Sequence, residues 1–338
     1  MTEKVLEVEG LKTQFFTQDG VVQAVDGLSF TVEAGEMVGI VGESGCGKST
    51  AALSIIRLLP TQGKIVDGEI RLNGRDIVPL NERQVRSLRG PEVAMIFQDA
   101  LAALDPTMKV GRQIMEPLQT HLGLSAQVAR ERTLKLLEMV GIPSPEERMD
   151  AYPHEFSGGM RQRVMIAIAL SCNPKVLVAD EPTTALDVTI QRQILDLMLQ
   201  LRRESGAGVI LITHDVGVVA ETCDRVVVMY AGRAIESGPT EAVFKAPQHP
   251  YTIGLLNSTL DLHRNKAQPL EAISGLPPDL IQLPTGCTFH PRCLWQTEQC
   301  QAEIPSLESV GAGHSAACWH ADKVSGGKAS LQREDSHG

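Results

Sequence analysis

The chain has 338 residues, 43% of them hydrophobic, enough for one large core or two modest ones. Its formal charge of −10 at pH 7 argues against a nucleic-acid coat, because such proteins carry a basic footprint. The longest apolar runs, such as 164–170 and 226–230, fall far short of the ~20 residues that cross a bilayer; the start, residues 1–10, lacks the basic and apolar parts of a secretory signal, so the expected place is the cytoplasm.

Alternating segments at 5–8, 11–16 and 28–32, with a turn at Gln18-Asp19-Gly20, predict a β-rich start. Phe15 and Phe16 close the second segment, where a ring can stack on a nucleotide base or pack in a hairpin core. A turn at 34–36 leads into the apolar run 37–41, and directly after it stands GESGCGKST, Gly42 to Thr50. A strand ending in a glycine-rich turn that opens a helix aims backbone N–H groups and a helix N-terminus at one point, which suits a polyphosphate. Gly42, Gly45 and Gly47 let the main chain approach where a Cβ would obstruct it; Glu43, Ser44, Cys46 and Thr50 complete the nucleotide-binding stretch. Lys48 can reach the β- and γ-phosphates, and the Ser49 hydroxyl can ligate Mg²⁺. The stretch predicts a nucleoside triphosphate site.

Further along, 51–59 reads as a helix stopped by Pro60, 68–72 as a strand entering the Asn73-Gly74 turn, and 93–97 as a strand that presents Gln98. A glutamine leaving a strand beside such a cradle is placed to touch Mg²⁺ or the attacking water, although most such residues are only loop. From 107 to about 153 the composition shifts to helix formers, with helices over 110–121 and 125–140 and a stop at Gly141-Ile142-Pro143. This is an inserted helical lobe. Beyond it Ser157-Gly158-Gly159 precedes the apolar helix 164–170 and forms a second anion site. One nucleotide cannot easily use two such sites from one chain; the economical arrangement is a dimer in which this loop completes the partner's site.

The apolar strand 176–180 ends in two carboxylates, where Asp180 suits an Mg²⁺ partner and Glu181 can polarise the attacking water. Ala185-Leu186-Asp187 turns into a helix over 189–203, and a last parallel-type strand, 208–213, ends at His214, where an imidazole can sense the γ-phosphate.

In this order and at these intervals, GESGCGKST, Gln98, SGG before a helix, VLVADE, ALD and His214 resemble the ATP-binding cassette of ABC transporters over about residues 5–255. The resemblance implies a P-loop NTPase of the α/β class with an N-terminal antiparallel β subdomain, an inserted helical subdomain at about 100–165 and a loop-rich C-terminal extension. It implies ATP and Mg²⁺ as cofactors, with Lys48, Gln98, Glu181 and His214 catalytic. Ser49, Gln98 and Asp180 would hold Mg²⁺, Ser157 to Gly159 would be the signature, Asp187 the D-loop, and Phe15 rather than Phe16 the stacking ring. Met160 departs from the usual glutamine after the signature glycines, which leaves the N–H donors in place.

Residues 248–252 (QHPYT), 273–278 (ISGLPP) and 286–293, with the FSGGMRQR form at 156–163, are similar to the peptide and nickel importer branch. The polar composition of 324–338 predicts a disordered tail, and the similarity implies an ATP-binding domain over 1–258 and an extension over 259–323. It also implies a motor paired with a second, related ATPase, or with a copy of itself, beneath two membrane permeases fed by an external solute-binding protein. The place would then be peripheral, on the cytoplasmic face of the membrane, with no nucleic acid bound. Rivals are a soluble ABC protein of DNA repair or translation and an iron–sulfur sensor that merely retains ATP binding.

Of seven cysteines, Cys287, Cys293, Cys300 and Cys318 crowd the extension, separated by five, six and seventeen residues. None of these gaps is the two to four residues of ordinary zinc knuckles. The set suits a [4Fe–4S] cluster, an unusual Cys₄ zinc site or reduced structural thiols, and the resemblance to dipeptide importers favours the cluster.

Overall fold

The computed structural model describes residues 3–183, 188–258, 273–311 and 313–325. Strands β1 (Lys4–Phe16) and β2 (Val21–Glu33) pair antiparallel, then β3 (Met37–Val41) opens a second sheet and the cradle leads into α1 (Lys48–Ile55). Strands β4 (Gly63–Leu72) and β5 (Arg75–Asp76) return to the first sheet, and α2 (Glu82–Leu88) brings the chain to β6 (Val93–Ile96). The helical lobe comprises α3 (Ala100–Ala103), α4 (Val110–Leu122), α5 (Ala126–Met139), α6 (Pro145–Arg148) and α7 (Gly158–Leu170). Strand and helix then alternate through β7 (Val176–Asp180), α8 (Val188–Ser205), β8 (Gly208–Ile212), α9 (Val216–Thr222) and β9 (Arg225–Tyr230). Next come β10 (Arg233–Pro239), α10 (Thr240–Lys245) and α11 (Pro250–Asn257), and the extension adds α12 (Glu298–Ala302), β11 (Glu308–Gly311), β12 (His314–Ala316) and α13 (Ala321–Ser325).

The first sheet has the order β2-β1-β4-β5 and the second β11-β12-β10-β9-β3-β8-β7-β6. Strands β6, β7, β8, β3 and β9 run parallel, and β10, β12 and β11 extend the sheet antiparallel. Every residue of β3, β7 and β8 is buried, as expected for parallel strands covered on both faces. Because side chains alternate across a strand, one sheet feeds two cores. Met37, Val41, Leu177 and Ala179 enter the core shared with the helical lobe, whereas Val38, Ile40, Val176 and Val178 enter the core shared with the antiparallel sheet.

The expected elements stand, with four differences. The helix after the cradle starts at Lys48 and ends at Ile55, short of residue 59, because Arg57 takes a left-handed backbone (φ 56°) and donates to the carbonyls of Ile77 and Val78. The apolar run after β8 forms a further parallel strand, β9, since its valines are buried beside β3. The extension has more order than a loop-rich reading foresees: β12 pairs with β10, so its chain continues the main sheet. Val324 and Ser325, the first residues of the polar tail, close α13, and the rest of the tail lies outside the described residues.

At the join between cassette and extension, Glu236 on β10 is fully buried and accepts from the backbone N–H of Gln248 and His249 and pairs with His314 Nε2 at 2.7 Å. His249 is buried too, and its Nδ1 accepts from Tyr251 N–H at 3.0 Å, which requires the neutral ring. Burial pushes its pKa down to about 3. A folded-state pKa below that of the unfolded chain means the contribution to stability is complete above pH ~6.5 and is lost as pH falls from there toward 3. Thermal unfolding followed from pH 7.5 to 5 should show a loss of up to about 1.4 kcal/mol per pH unit from this group. His249→Asn, which keeps an acceptor but cannot titrate there, should show a shallower slope.

Candidate nucleotide-binding site

The carboxyl ends of β3, β8, β7 and β6 lie at one edge of the sheet, where ligands of open α/β folds bind. Each of the four ends in a residue marked out by the sequence. Gly42 follows β3, His214 stands two residues beyond β8, Glu181 follows β7, and Gln98 stands two residues beyond β6.

The cradle needs its glycines for space as well as conformation. Gly42 has φ 155° and a Cβ there would stand 2.2 Å from the Met229 carbonyl oxygen; at Gly47, with φ 104°, it would stand 2.1 Å from that of Ala24. Gly47 caps α1 in a left-handed conformation, so the first free N–H groups of that helix face the cradle. Lys48 is buried, and its Nζ donates to the carbonyls of Gly42 at 2.7 Å and Glu43 at 2.9 Å, spanning the loop that it closes. Burial pushes the Cys46 thiol up, so it serves as a small packed side chain beside Lys48. Ser44 and Gly45 are exposed, at the open side of the loop.

Ser49 Oγ donates to Asp180 Oδ1 at 3.1 Å. Asp180 is buried and its pKa is raised, chiefly by desolvation and secondarily by Glu181, against the Ser49 hydrogen bond and the Lys48 charge. A buried carboxylate beside a hydroxyl is a pair of hard oxygen donors, and this set fits Mg²⁺, whose charge would offset the desolvation. Glu181 adopts a left-handed backbone, φ 46°, which costs a non-glycine residue about 1–3 kcal/mol. Its carboxylate is gripped from two strand ends: Gln98 Nε2 donates to Oε2 at 3.0 Å, and His214 Nδ1 stands 3.4 Å from Oε1. The carboxylate is mostly covered while His214 is largely exposed, so the group faces outward at the edge.

Ser157 lies in the helical lobe, where its Oγ caps α7 by accepting from Met160 N–H and its own surface is exposed. Met160 keeps the N–H and packs its side chain against the lobe core, so the departure from glutamine leaves the cap intact. A Cβ on Gly158 would meet open space, and one on Gly159 would meet Ile190 at 3.3 Å. From the same helix, Gln162 Nε2 donates to the Pro182 carbonyl at 2.6 Å, tying the helix of the SGG loop to the turn after Glu181. Phe15 is half-buried in β1, its ring against the backbone of Gly63, and Phe16 is 46% exposed with Lys64 Nζ 5.6 Å from its ring centre. Asp187 lies outside the described residues.

Two residues reach the cradle from beyond the cassette core and carry no chemistry that the sequence announces. Tyr251, in α11, accepts the Glu43 N–H on its hydroxyl at 2.7 Å. Arg292 forks onto the Glu43 carboxylate at 2.6 and 3.0 Å. The signal was present, since both lie within the QHPYT and HPRC stretches, but those stretches mark a branch without stating a role.

The extension's four cysteines line one small cavity, together with Phe289 and Trp319. Burial, reinforced by the neighbouring thiols, pushes Cys293 up to about 12 and Cys318 up to about 11. Among the described residues no three His, Cys, Asp or Glu side chains stand in an arrangement that could hold a metal ion. The thiols are therefore gathered on one cavity without forming such an arrangement. A larger cavity of about 290 Å³, between Asp26, Arg233 and the segment 304–307, contains none of the cradle residues.

Residues 25–184 match the family model described as ABC transporter, and residues 235–300 match the one described as oligopeptide/dipeptide transporter, C-terminal region. The chain belongs to the ABC transporter family. This ABC ATPase is 51% identical over 315 residues to the oligopeptide transport ATP-binding protein OppD of Salmonella typhimurium, covering 93% of each chain. It is 49% identical over 322 residues to the dipeptide transport ATP-binding protein DppD of Bacillus subtilis, covering 95% of this chain and 96% of that one. Among solved structures, the dimeric ATP-binding cassette MJ0796 bound to ADP and phosphate superposes with a TM-score of 0.64 at 26% identity, over 70% of this chain and 98% of that one. The fold and the ATPase character of the cassette follow from these matches.

In the ABC ATPase, replacing Asp180 by Asn removes the buried charge while keeping the shape. Titration of ATPase activity with Mg²⁺ should show the half-saturating concentration raised about 10- to 100-fold.

Proposed function

We propose that the protein is the ATP-hydrolysing motor of an importer for di- or oligopeptides, working as a dimer of ATPases beneath two membrane permeases. The observation that carries the reading is the assembly of Lys48, Ser49, Asp180, Glu181, Gln98 and His214 at one sheet edge in a chain whose extension matches the peptide-transporter region. In this reading the permeation path belongs to the partner permeases and the attachment is peripheral, on the cytoplasmic face; among the described residues no helix is long and apolar enough to cross a membrane. Exposed Ser157 and Gly158 form the second half of a nucleotide site and leave their own cradle incomplete, so each ATP is held between one subunit's Lys48 and the other's signature loop. The second ATPase is a related subunit, with a homodimer as the alternative, and an external solute-binding protein delivers the peptide.

Within the site, Lys48 would exchange the Gly42 and Glu43 carbonyls for β- and γ-phosphate oxygens, and Ser49, Asp180 and Gln98 would hold Mg²⁺, which would supply positive charge to the phosphates. Phe15 stacks on the base, and Asp187 belongs to the D-loop. The Glu181 carboxylate orients the attacking water and draws on its proton, held in place by Gln98 and answering to the γ-phosphate through His214. ATP binding closes the dimer, and hydrolysis releases it. Glu181→Gln should lower kcat by about 10²–10⁴ while ATP binding persists. Light scattering of that variant with ATP should report a stable dimer, and hydrolysis at the parent rate would remove Glu181 from its role. For the cargo, ATPase activity of the complex reconstituted with permeases and binding protein should rise with di- or oligopeptides and not with nickel.

The four extension cysteines are proposed to carry a [4Fe–4S] cluster, with Zn²⁺ as the alternative. What supports this is their convergence on one cavity; loading would have to draw the thiols closer and release their protons. Anaerobically purified protein should show broad visible absorbance and about stoichiometric iron, both lost in Cys293→Ser. Protein with neither iron nor zinc leaves the cysteines as structural thiols.

A further inference from the structure

Glu43, the second residue of the phosphate loop, is held by main chain and side chain at once. Its N–H donates to the Tyr251 hydroxyl at 2.7 Å, and its carboxylate receives both arms of the Arg292 guanidinium at 2.6 and 3.0 Å. The Arg292 side chain is only 5% exposed. It is itself fixed on every side: Nε donates to the Ser274 carbonyl at 2.9 Å, and the guanidinium lies 5.8 Å from the Tyr230 ring centre and 6.0 Å from that of Phe289. Phe289 packs edge to face against Tyr230 and Tyr251, which are tilted against each other, with centroids 4.7 to 5.5 Å apart, and the three rings make a floor beneath the loop.

The turn that presents Arg292 is bounded by two of the four cysteines. His290 N–H donates to the Cys287 carbonyl at 2.9 Å, Arg292 N–H to that of Phe289 at 3.0 Å, and Cys293 N–H to that of His290 at 3.1 Å. The path from the cysteine cavity to the phosphates is thus one residue long on the extension side and one on the cassette side. The Glu43 carbonyl at the end of that path also accepts from Lys48 Nζ.

We propose that Arg292 is a positioning residue for ATP binding: by clamping Glu43 it presets the phosphate loop, and it makes the cysteine-bearing extension part of the nucleotide site. A bidentate, largely desolvated Arg–carboxylate pair has one geometry, so it restricts the loop before nucleotide arrives and lowers the ordering cost of binding. The coupling is reciprocal, so displacement of the 287–293 turn weakens ATP binding, and bound ATP steadies the turn. Arg292 touches no reacting atom, so its loss should act on affinity and KM and leave kcat nearly unchanged.

The inference rests on ATP binding at Gly42 to Thr50, and its test separates the two. With the full chain, a fluorescent ATP analogue gives Kd and steady-state hydrolysis gives KM and kcat. Arg292→Ala should raise Kd and KM about tenfold with kcat within about threefold, Glu43→Ala should raise Kd about tenfold, and the double variant should bind no more weakly than the worse single one. Arg292→Lys, which keeps the charge and stem but not the fork, should fall between the parent and Arg292→Ala and carries the test if the alanine variant does not fold. Parent-level affinity in Arg292→Ala or Arg292→Lys, or additive losses in the double variant, overturns the proposal. Lys48→Ala serves as the separate control, since parent-level ATP binding there would overturn the site itself.

Discussion

Parallel pairing in the middle of the large sheet is the constraint from which the site follows. Ile40 of β3 is level with Ile212 of β8, and Ile212 is level with Asp180 of β7. With these registers set by main-chain hydrogen bonds, the residues just beyond each strand emerge at one height. A one-residue slip of β7 would turn Asp180 to the opposite face and exchange the apolar side chains between the two cores. The buried valines and isoleucines therefore do more than stabilise: their alternation between the two cores locks the register that brings hydroxyl and carboxylate to 3.1 Å.

The edge so formed stores cost in two places. Asp180 is a carboxylate in a desolvated position, and Glu181 has a backbone conformation that L-residues avoid. Both penalties sit next to each other at the sheet edge, and the surrounding structure enforces them. Glu181 N–H is committed to the Ile212 carbonyl, and Pro182 is held by Gln162 of the signature helix. The helical lobe is consequently tied, within its own chain, to the residue that follows Glu181.

A comparable tie joins the extension to the cassette from the other side. Glu236 binds two backbone N–H groups and His314, which fixes β12 against β10, and Arg292 completes the attachment at the phosphate loop. A buried Arg–Glu pair adds little net stability, because desolvation of two charges offsets their attraction. Its value is geometric, since it admits one position of the Glu43 side chain. The extension is thereby tied to the phosphate loop, and its β12 is held by β10, two strands from β3 in the sheet.

Nearly all of the cassette was legible in the sequence, because each of its parts is a local device. A glycine-rich turn after an apolar strand, an apolar strand ending in Asp180-Glu181 and a Ser-Gly-Gly helix start all announce themselves within ten residues, and the structure puts them where those devices imply. The helix that stops at Ile55, the strand at 225–230 and the sheet pairing of residues 314–316 were less legible, since each depends on what a distant segment offers. Gathering of the four cysteines on one cavity was foreseeable from their crowding. By itself the sequence determined the P-loop fold and the family, because those rest on short-range backbone geometry and side-chain chemistry. Only the tertiary structure decided that Tyr251 and Arg292 grip Glu43 from more than two hundred residues away, because a long-range ion pair leaves no periodicity or spacing in the chain to read.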